Sequence, residues 1–256
     1  MRPLNMKPIL NILLLLSVTS LSVAGPAEDA ARYYEDGLAR YQEKAYPAAV
    51  IQAKNALQLV PDHLPARILL GETLLEQGKG ADAEKELELA HKMGADPGLI
   101  LLPLAKALNR QRKYHQVVER IPEYGLPFDL QGAILFERGR ALLELGQLVE
   151  ARSQFELALS VQKGAVLPVI GLAMVELNEG SFEAAEKTVE KALLMAPDNA
   201  EVWHAKGAIA YAQGQLEQAV EHYSEALSLQ PDYYTAKVSR ASTYMDLGRF
   251  SDAVVE

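Results

Sequence analysis

Cysteine is absent from this chain of 256 residues. That removes disulfides, cysteine-based metal sites and a lipid-attachment cysteine together. Basic residues are in the minority, with 25 Lys and Arg against 34 Asp and Glu for a net charge of −9. Nucleic acid is therefore not an expected partner, because gripping a phosphate backbone takes basic patches that this chain lacks overall. Histidine is sparse. His63, His91, His115, His204 and His222 show no HExxH spacing and no paired-ligand geometry, and solvated positions are expected for most of them. There is no glycine-rich phosphate loop, and the many Asp and Glu fit outer helix faces. Neither an enzyme nor a cofactor is expected from these residues.

Long apolar runs are missing everywhere except at the start. MRPLNMKPILNILLLLSVTSLSVAG carries Arg2 and Lys7, then a mostly apolar stretch from Ile9 to Val18. Ser22 and Ala24 follow at the minus three and minus one positions of a cleavage site. This is the pattern of a secretory signal peptide over residues 1–24, with Met6 as an alternative start. The other reading is a membrane tether, but the apolar stretch falls short of the ~20 residues a spanning helix needs. Cleavage would put residues 25–256 outside the cytoplasm, and loss of Arg2 and Lys7 would take the charge from −9 to −11.

What the chain does have is a period. Steps of 34 land on Gly37, Gly71, Ala105, Gly139, Ala173, Gly207 and Ala241. The same step connects Ala49, Ala83, Val117, Ala151, Ala185, Ala219 and Ala253. A third comb marks turns at Gly78, Gly146, Gly180, Gly214 and Gly248, with Lys44 and Arg112 in register. A fixed period of this size signals a repeat array. The sixth unit, Trp203 to Pro231, reads as two helices broken at Gly214. A turn this short makes them antiparallel. Gly207 and Ala219 are expected to be small because the two backbones approach there. Pro231 should end the second helix and Asp232 should cap the next. One helix pair cannot cover its own apolar faces, so stacking must supply the core.

The combination W…G…Y…G…A…Y…A…P at this step resembles the tetratricopeptide repeat (TPR). The resemblance implies an all-α, right-handed superhelical solenoid of antiparallel helix pairs. It covers six complete units (about 30–63, 64–97, 98–131, 132–165, 166–199 and 200–233) and a truncated seventh (234–256). The third unit departs from the pattern: Pro122 falls inside its second helix, with Gly125 and Pro127 after it. Interior proline costs about 3 kcal/mol, so that helix should end early and form a local joint. At the other end, Ala253, Val254, Ala241 and Tyr244 have nothing after Glu256 to cover them. Terminal units normally carry a polar face or a capping helix, so further repeats and a frayed last turn are expected.

The resemblance also implies a concave face lined by the first helices. One expected row is Tyr34, Ile68, Leu102, Phe136, Ile170, His204 and Val238. The next is Tyr41, Leu75, Asn109, Leu143, Leu177, Tyr211 and Met245. Between them lie Lys106, Arg110 and Arg140, a small basic cluster. Long apolar strips mark interaction sites, yet such residues also pad contacts between neighbouring helices. The rows do not resemble the Lys/Asn carboxylate clamp of chaperone-binding TPR domains, since Leu38 and Glu72 stand where that clamp has Asn.

The opening from Tyr33 to Pro97, followed by LPLAKALNRQRKY, resembles the large TPR protein of bacterial exosortase (PEP-CTERM) systems, which link exopolysaccharide production to surface-protein sorting. That resemblance implies a non-catalytic periplasmic scaffold of a Gram-negative envelope, whose partners are proteins or extended peptide segments. Members are described as lipoproteins and are far longer, whereas this chain has no cysteine. TPR scaffolds of alginate or cellulose export are similar in kind. The alternative is the TPR arm of an envelope protease or glycosyltransferase whose catalytic domain lies beyond residue 256.

Overall fold

The computed structural model describes residues 25–255 apart from Tyr124 and Leu126. The proposed signal peptide lies outside the described residues. Fourteen helices, and no strand, occur among them. They are α1 (Pro26–Gln42), α2 (Tyr46–Leu59), α3 (Leu64–Glu76), α4 (Gly80–Lys92), α5 (Pro97–Arg110), α6 (Tyr114–Arg120) and α7 (Phe128–Glu144). The second half comprises α8 (Leu148–Val161), α9 (Val166–Asn178), α10 (Phe182–Met195), α11 (Ala200–Ala212), α12 (Leu216–Leu229), α13 (Tyr234–Asp246) and α14 (Phe250–Val255).

Local chemistry sets these boundaries. Pro26, Pro47, Pro65 and Pro97 occupy first-turn positions, where the missing N–H would have had no intrahelical partner. Asn199 caps α11, its Oδ1 accepting from the amides of Glu201 (2.8 Å) and Val202 (3.3 Å). His63, expected to be solvated, instead caps α3 through its Nδ1, 3.1 Å from the Ala66 amide. His115 lies in the first turn of α6. The α12 helix stops at Leu229, before Pro231. Asp232 does not cap α13, whose N-cap is Tyr233 with no side-chain bond.

Each short turn needs one left-handed residue. Gly78, Gly146, Gly180, Gly214 and Gly248 all take positive φ, between 72° and 77°. Lys44 and Arg112 take φ 58° at the equivalent positions. The turn geometry of the array thus overrides the residue preference at two units.

The helices stack in two layers. Each first helix packs on its own second helix and also on the next first helix, giving the unbroken series α1, α3, α5, α7, α9, α11, α13. The backbones of second helices approach those of first helices only, and α4 and α6 reach each other through side chains, where Arg120 pairs with Glu88 at 2.7 Å. Close spacing on one side and separation on the other curve the stack, with the first helices on the inner, concave face. The reason for the small comb differs from the one expected. A Cβ on Gly207 would lie 2.6 Å from the Tyr223 ring, and one on Gly139 would lie 2.6 Å from the Phe155 ring. At these two units second-helix rings, not backbones, fill the space, and at Gly71 the Leu87 side chain does so. Phe155 is fully buried and also blocks a Cβ on Gly171, so one ring joins α7, α8 and α9. Burying such a side chain is worth about 1.5–3 kcal/mol.

The third unit ends as expected, with α6 stopping at Arg120, before Pro122. Its open carbonyls are met by Arg138 of α7. That guanidinium donates to the carbonyl of Val118 (2.8 Å), to that of Ile121 and to the carboxylate of Glu123 (2.7 Å). The α5 helix also runs through Pro103 without ending. At the far end α14 is a short helix with Phe250, Val254 and Val255 exposed.

Candidate protein-binding groove

The concave layer divides the expected rows into two kinds. Tyr34, Ile68, Leu102, Phe136, Ile170, Leu143 and Leu177 are half-buried and pack against the hydrophobic clusters between units. They are mainly stacking contacts that leave an edge open. Leu75 and Asn109 are corrections, being buried at 3% and 7% exposure. Leu75 belongs to the cluster of Leu70, Leu74 and Ala107. Asn109 donates from Nδ2 to the carbonyl (2.9 Å) and carboxylate (2.8 Å) of Glu137. Both positions face the next first helix, where close packing of α3, α5 and α7 leaves no opening. His204 is enclosed too. Its ring lies 5.4 Å from those of Tyr223 and Tyr233, and Nε2 is 3.1 Å from Ser239 Oγ. Burial pushes its pKa down to about 4, so it is neutral at pH 7.

The open positions are Lys106, Arg110, Arg140, Tyr211, Val238 and Met245. Tyr211 is held by a 2.6 Å bond to Asp246. Tyr41 is half-buried, its ring 5.8 Å from that of Tyr46. Burial, then Glu72 and Glu76, push its hydroxyl up to about 12.

The face is more charged than the two rows suggest. Arg140 of α7 lies 5.8 Å over the Phe136 ring and 3.2 Å from Glu137. Glu72 of α3 has a raised pKa, from burial first and Glu76 second, against the pull of Lys106. Glu201 of α11 is also raised, by burial and Glu137, against the pull of Arg140 and Lys106. Tyr233 is pushed up to about 12 by burial and by Glu201. Groups from α5, α7 and α11 therefore share one electrostatic space. Glu201 is solvent-exposed, and its carboxyl feels the charges of Arg140, Glu137 and Lys106.

Glu137, Glu201 and Tyr233 are the site residues missed by the sequence reading. Stepping by 34 shows which residues are equivalent, but curvature alone brings the fourth unit near the sixth. Among the described residues no helix is long and apolar enough to cross a membrane.

Comparison with known proteins agrees with this architecture. Tetratricopeptide repeat family models match residues 24–98, 139–209 and 200–233. Protein NPGR2 of Arabidopsis thaliana is 24% identical over 230 residues, covering 80% of this chain. This chain spans only 31% of that relative's length. Among solved structures, the APC/C Cut9–Hcn1 hetero-tetramer aligns over 84% of this chain and 42% of its own at 17% identity, TM-score 0.61. PilF of Pseudomonas aeruginosa aligns over 85% of this chain and 99% of its own at 16% identity, TM-score 0.57. Both structural likenesses speak for the fold alone. With more than half its residues matched by the family models, a 34-residue step and the paired-helix stack, the chain belongs to the tetratricopeptide repeat family.

Proposed function

We propose that this chain is a non-catalytic scaffold, exported to the periplasm of a Gram-negative bacterium. Its concave face captures extended protein segments of an envelope assembly, of the kind that serves exopolysaccharide export or exosortase-linked sorting. The observation that carries the capture role is the unbroken layer of first helices. That layer gathers open apolar edges and charges from several units onto one face. TPR repeats bind proteins or peptides, so this use of the face needs no chemistry beyond complementarity.

Export is supported by Arg2 and Lys7, the apolar run after them and the Ser22-Val23-Ala24 triplet. The assembly is suggested by the resemblance of the first three units to the exosortase-linked TPR protein. Intact-mass measurement of protein recovered from a Gram-negative envelope fraction tests the export half. A chain beginning at Gly25, or at Glu28 after a cut following Ala27, is the expected result. A mass retaining Met1 or Met6 would overturn cleavage and leave a tethered protein.

A further inference from the structure

Two clefts between second helices, α4–α6 and α10–α12, stand three repeats apart on the outer side of the stack and share a frame. Glu84, Glu88, Gln111 and Gln116 of the first are matched in register by Glu186, Glu190, Gln213 and Gln218 of the second. The glutamine amide bonds the glutamate in both, Gln111 to Glu84 at 2.6 Å and Gln213 to Glu186 at 2.9 Å. The cations differ. In the α4–α6 cleft Lys113 lies 2.6 Å from Glu84. Arg120 reaches Glu84 (3.9 Å), Glu88 (2.7 Å) and the Gln116 amide oxygen (3.0 Å). Two carboxylates there face two cations. In register with Lys113 and Arg120, the α10–α12 cleft has Gln215 and His222.

That second cleft is compensated only in part. Lys206 of α11 pairs with Glu190 at 2.6 Å. Among the described residues Glu186 has the Gln213 amide and no cation. Burial, then Lys206, hold His222 below the usual imidazole range, so it is neutral at pH 7. Gln213 Oε1 is buried without a hydrogen-bond partner. These residues line a cavity of about 260 Å³, floored by the buried side chains of Val189 and Ile209. Pockets for drug-sized ligands run to about 300–1,000 Å³, so this one fits a single side-chain-sized group. An apolar floor beside a carboxylate matches an alkyl stem that ends in a cation.

We propose that the α10–α12 cleft is a second binding site, which takes a guanidinium or alkylammonium group at Glu186, in the place that Lys113 and Arg120 fill three repeats earlier. The site lies on the opposite face from the groove and stands whether or not the groove captures a partner. A guanidinium brings five donors in a fixed fork that matches a carboxylate. An arginine of a partner protein and a small free guanidinium compound present the same chemistry.

Isothermal titration calorimetry at neutral pH tests it with three probes. These are agmatine, a capped Ala-Arg-Ala tripeptide, and the same tripeptide with citrulline, an uncharged isostere, in place of arginine. Trp203, the single tryptophan of the chain, has its ring 5.8 Å from that of His222. Its fluorescence should change as the cleft fills. The arginine tripeptide should bind about tenfold tighter than the citrulline one, the scale of one hydrogen bond to a charged group. Glu186→Gln should remove that preference. Gln215→Lys combined with His222→Arg rebuilds the cations of the α4–α6 cleft, and should abolish binding with circular dichroism unchanged. Tighter binding of agmatine than of the arginine tripeptide would identify a free compound as the source of the cation, and the reverse order a protein side chain. Equal binding of the arginine and citrulline tripeptides would overturn the site. So would arginine binding that survives the double variant, or no binding of any probe.

Discussion

Single residues in this array answer to two separate demands, turn geometry and ring packing. Arg112 and Lys44 meet the first against their own preference, at φ 58°. The left-handed conformation costs an L-residue about 1–2 kcal/mol, of which glycine gives back part as unfolded-state entropy of about 0.4–1 kcal/mol. Arg112→Gly should therefore stabilise the chain by about 0.5–1 kcal/mol, read as a higher urea midpoint. A lower midpoint would mean that the arginine side chain holds the turn. Ring packing is tested at Gly139. Its alanine variant would bring Cβ against Phe155 at 2.6 Å, an overpacking worth about 1–3 kcal/mol. Adding Phe155→Leu should make the pair less costly than the sum of the single changes; strict additivity would contradict the contact. The comb of small residues was plain in the sequence. Its cause was not, because a period reports that space is limited but not which atoms fill it.

At the scale of helices and joints, proline and capping chemistry made most boundaries legible. Pro231 and Pro122 mark ends that the helices respect. Pro103 is the exception, carried inside α5 by a unit whose Leu104, Ala105 and Leu108 are buried on neighbours. Some joints are built by different residues doing the same work. Trp203 donates to the Pro197 carbonyl at 2.8 Å, and Arg67, four repeats earlier, donates to the Pro61 carbonyl at 2.6 Å. Gln213 reaches Glu186 just as Gln111 reaches Glu84 three repeats before. The Trp203–Arg67 swap escapes residue-by-residue matching because the donor is kept while the side chain changes, whereas the Gln–Glu pair is kept outright. Arg138 is the most demanding case, being 5% exposed and closing the shortened α6. Arg138→Met should cost about 3 kcal/mol, since it strands buried carbonyls and the Glu123 carboxylate. Hydrogen exchange should quicken from Tyr114 to Ile121 before it does in α11 and α12. Unchanged protection there would show that the joint is held by apolar contacts alone.

Across the whole molecule, the curvature that follows from touching first helices and separated second helices decides what the surface can do. Lys106 and Arg140, both exposed on first helices, were visible in the sequence because they stand on one comb. Leu75 and Asn109 were placed in the open for the same reason, since a comb fixes equivalence but not how far each helix is rotated toward the next. Glu201 could not be found that way at all, because the superhelix rather than the chain order brings it to Arg140. The central claim is that capture happens on the concave face. A photo-reactive amino acid placed singly at positions 106, 140 and 211 on the concave layer, or at 85 and 187 on the exposed second helices, tests this in an envelope preparation. The account predicts one shared set of cross-linked protein from the three concave positions and none of it from the other two. Cross-links to the same protein from 85 and 187, with 106, 140 and 211 silent, would contradict it.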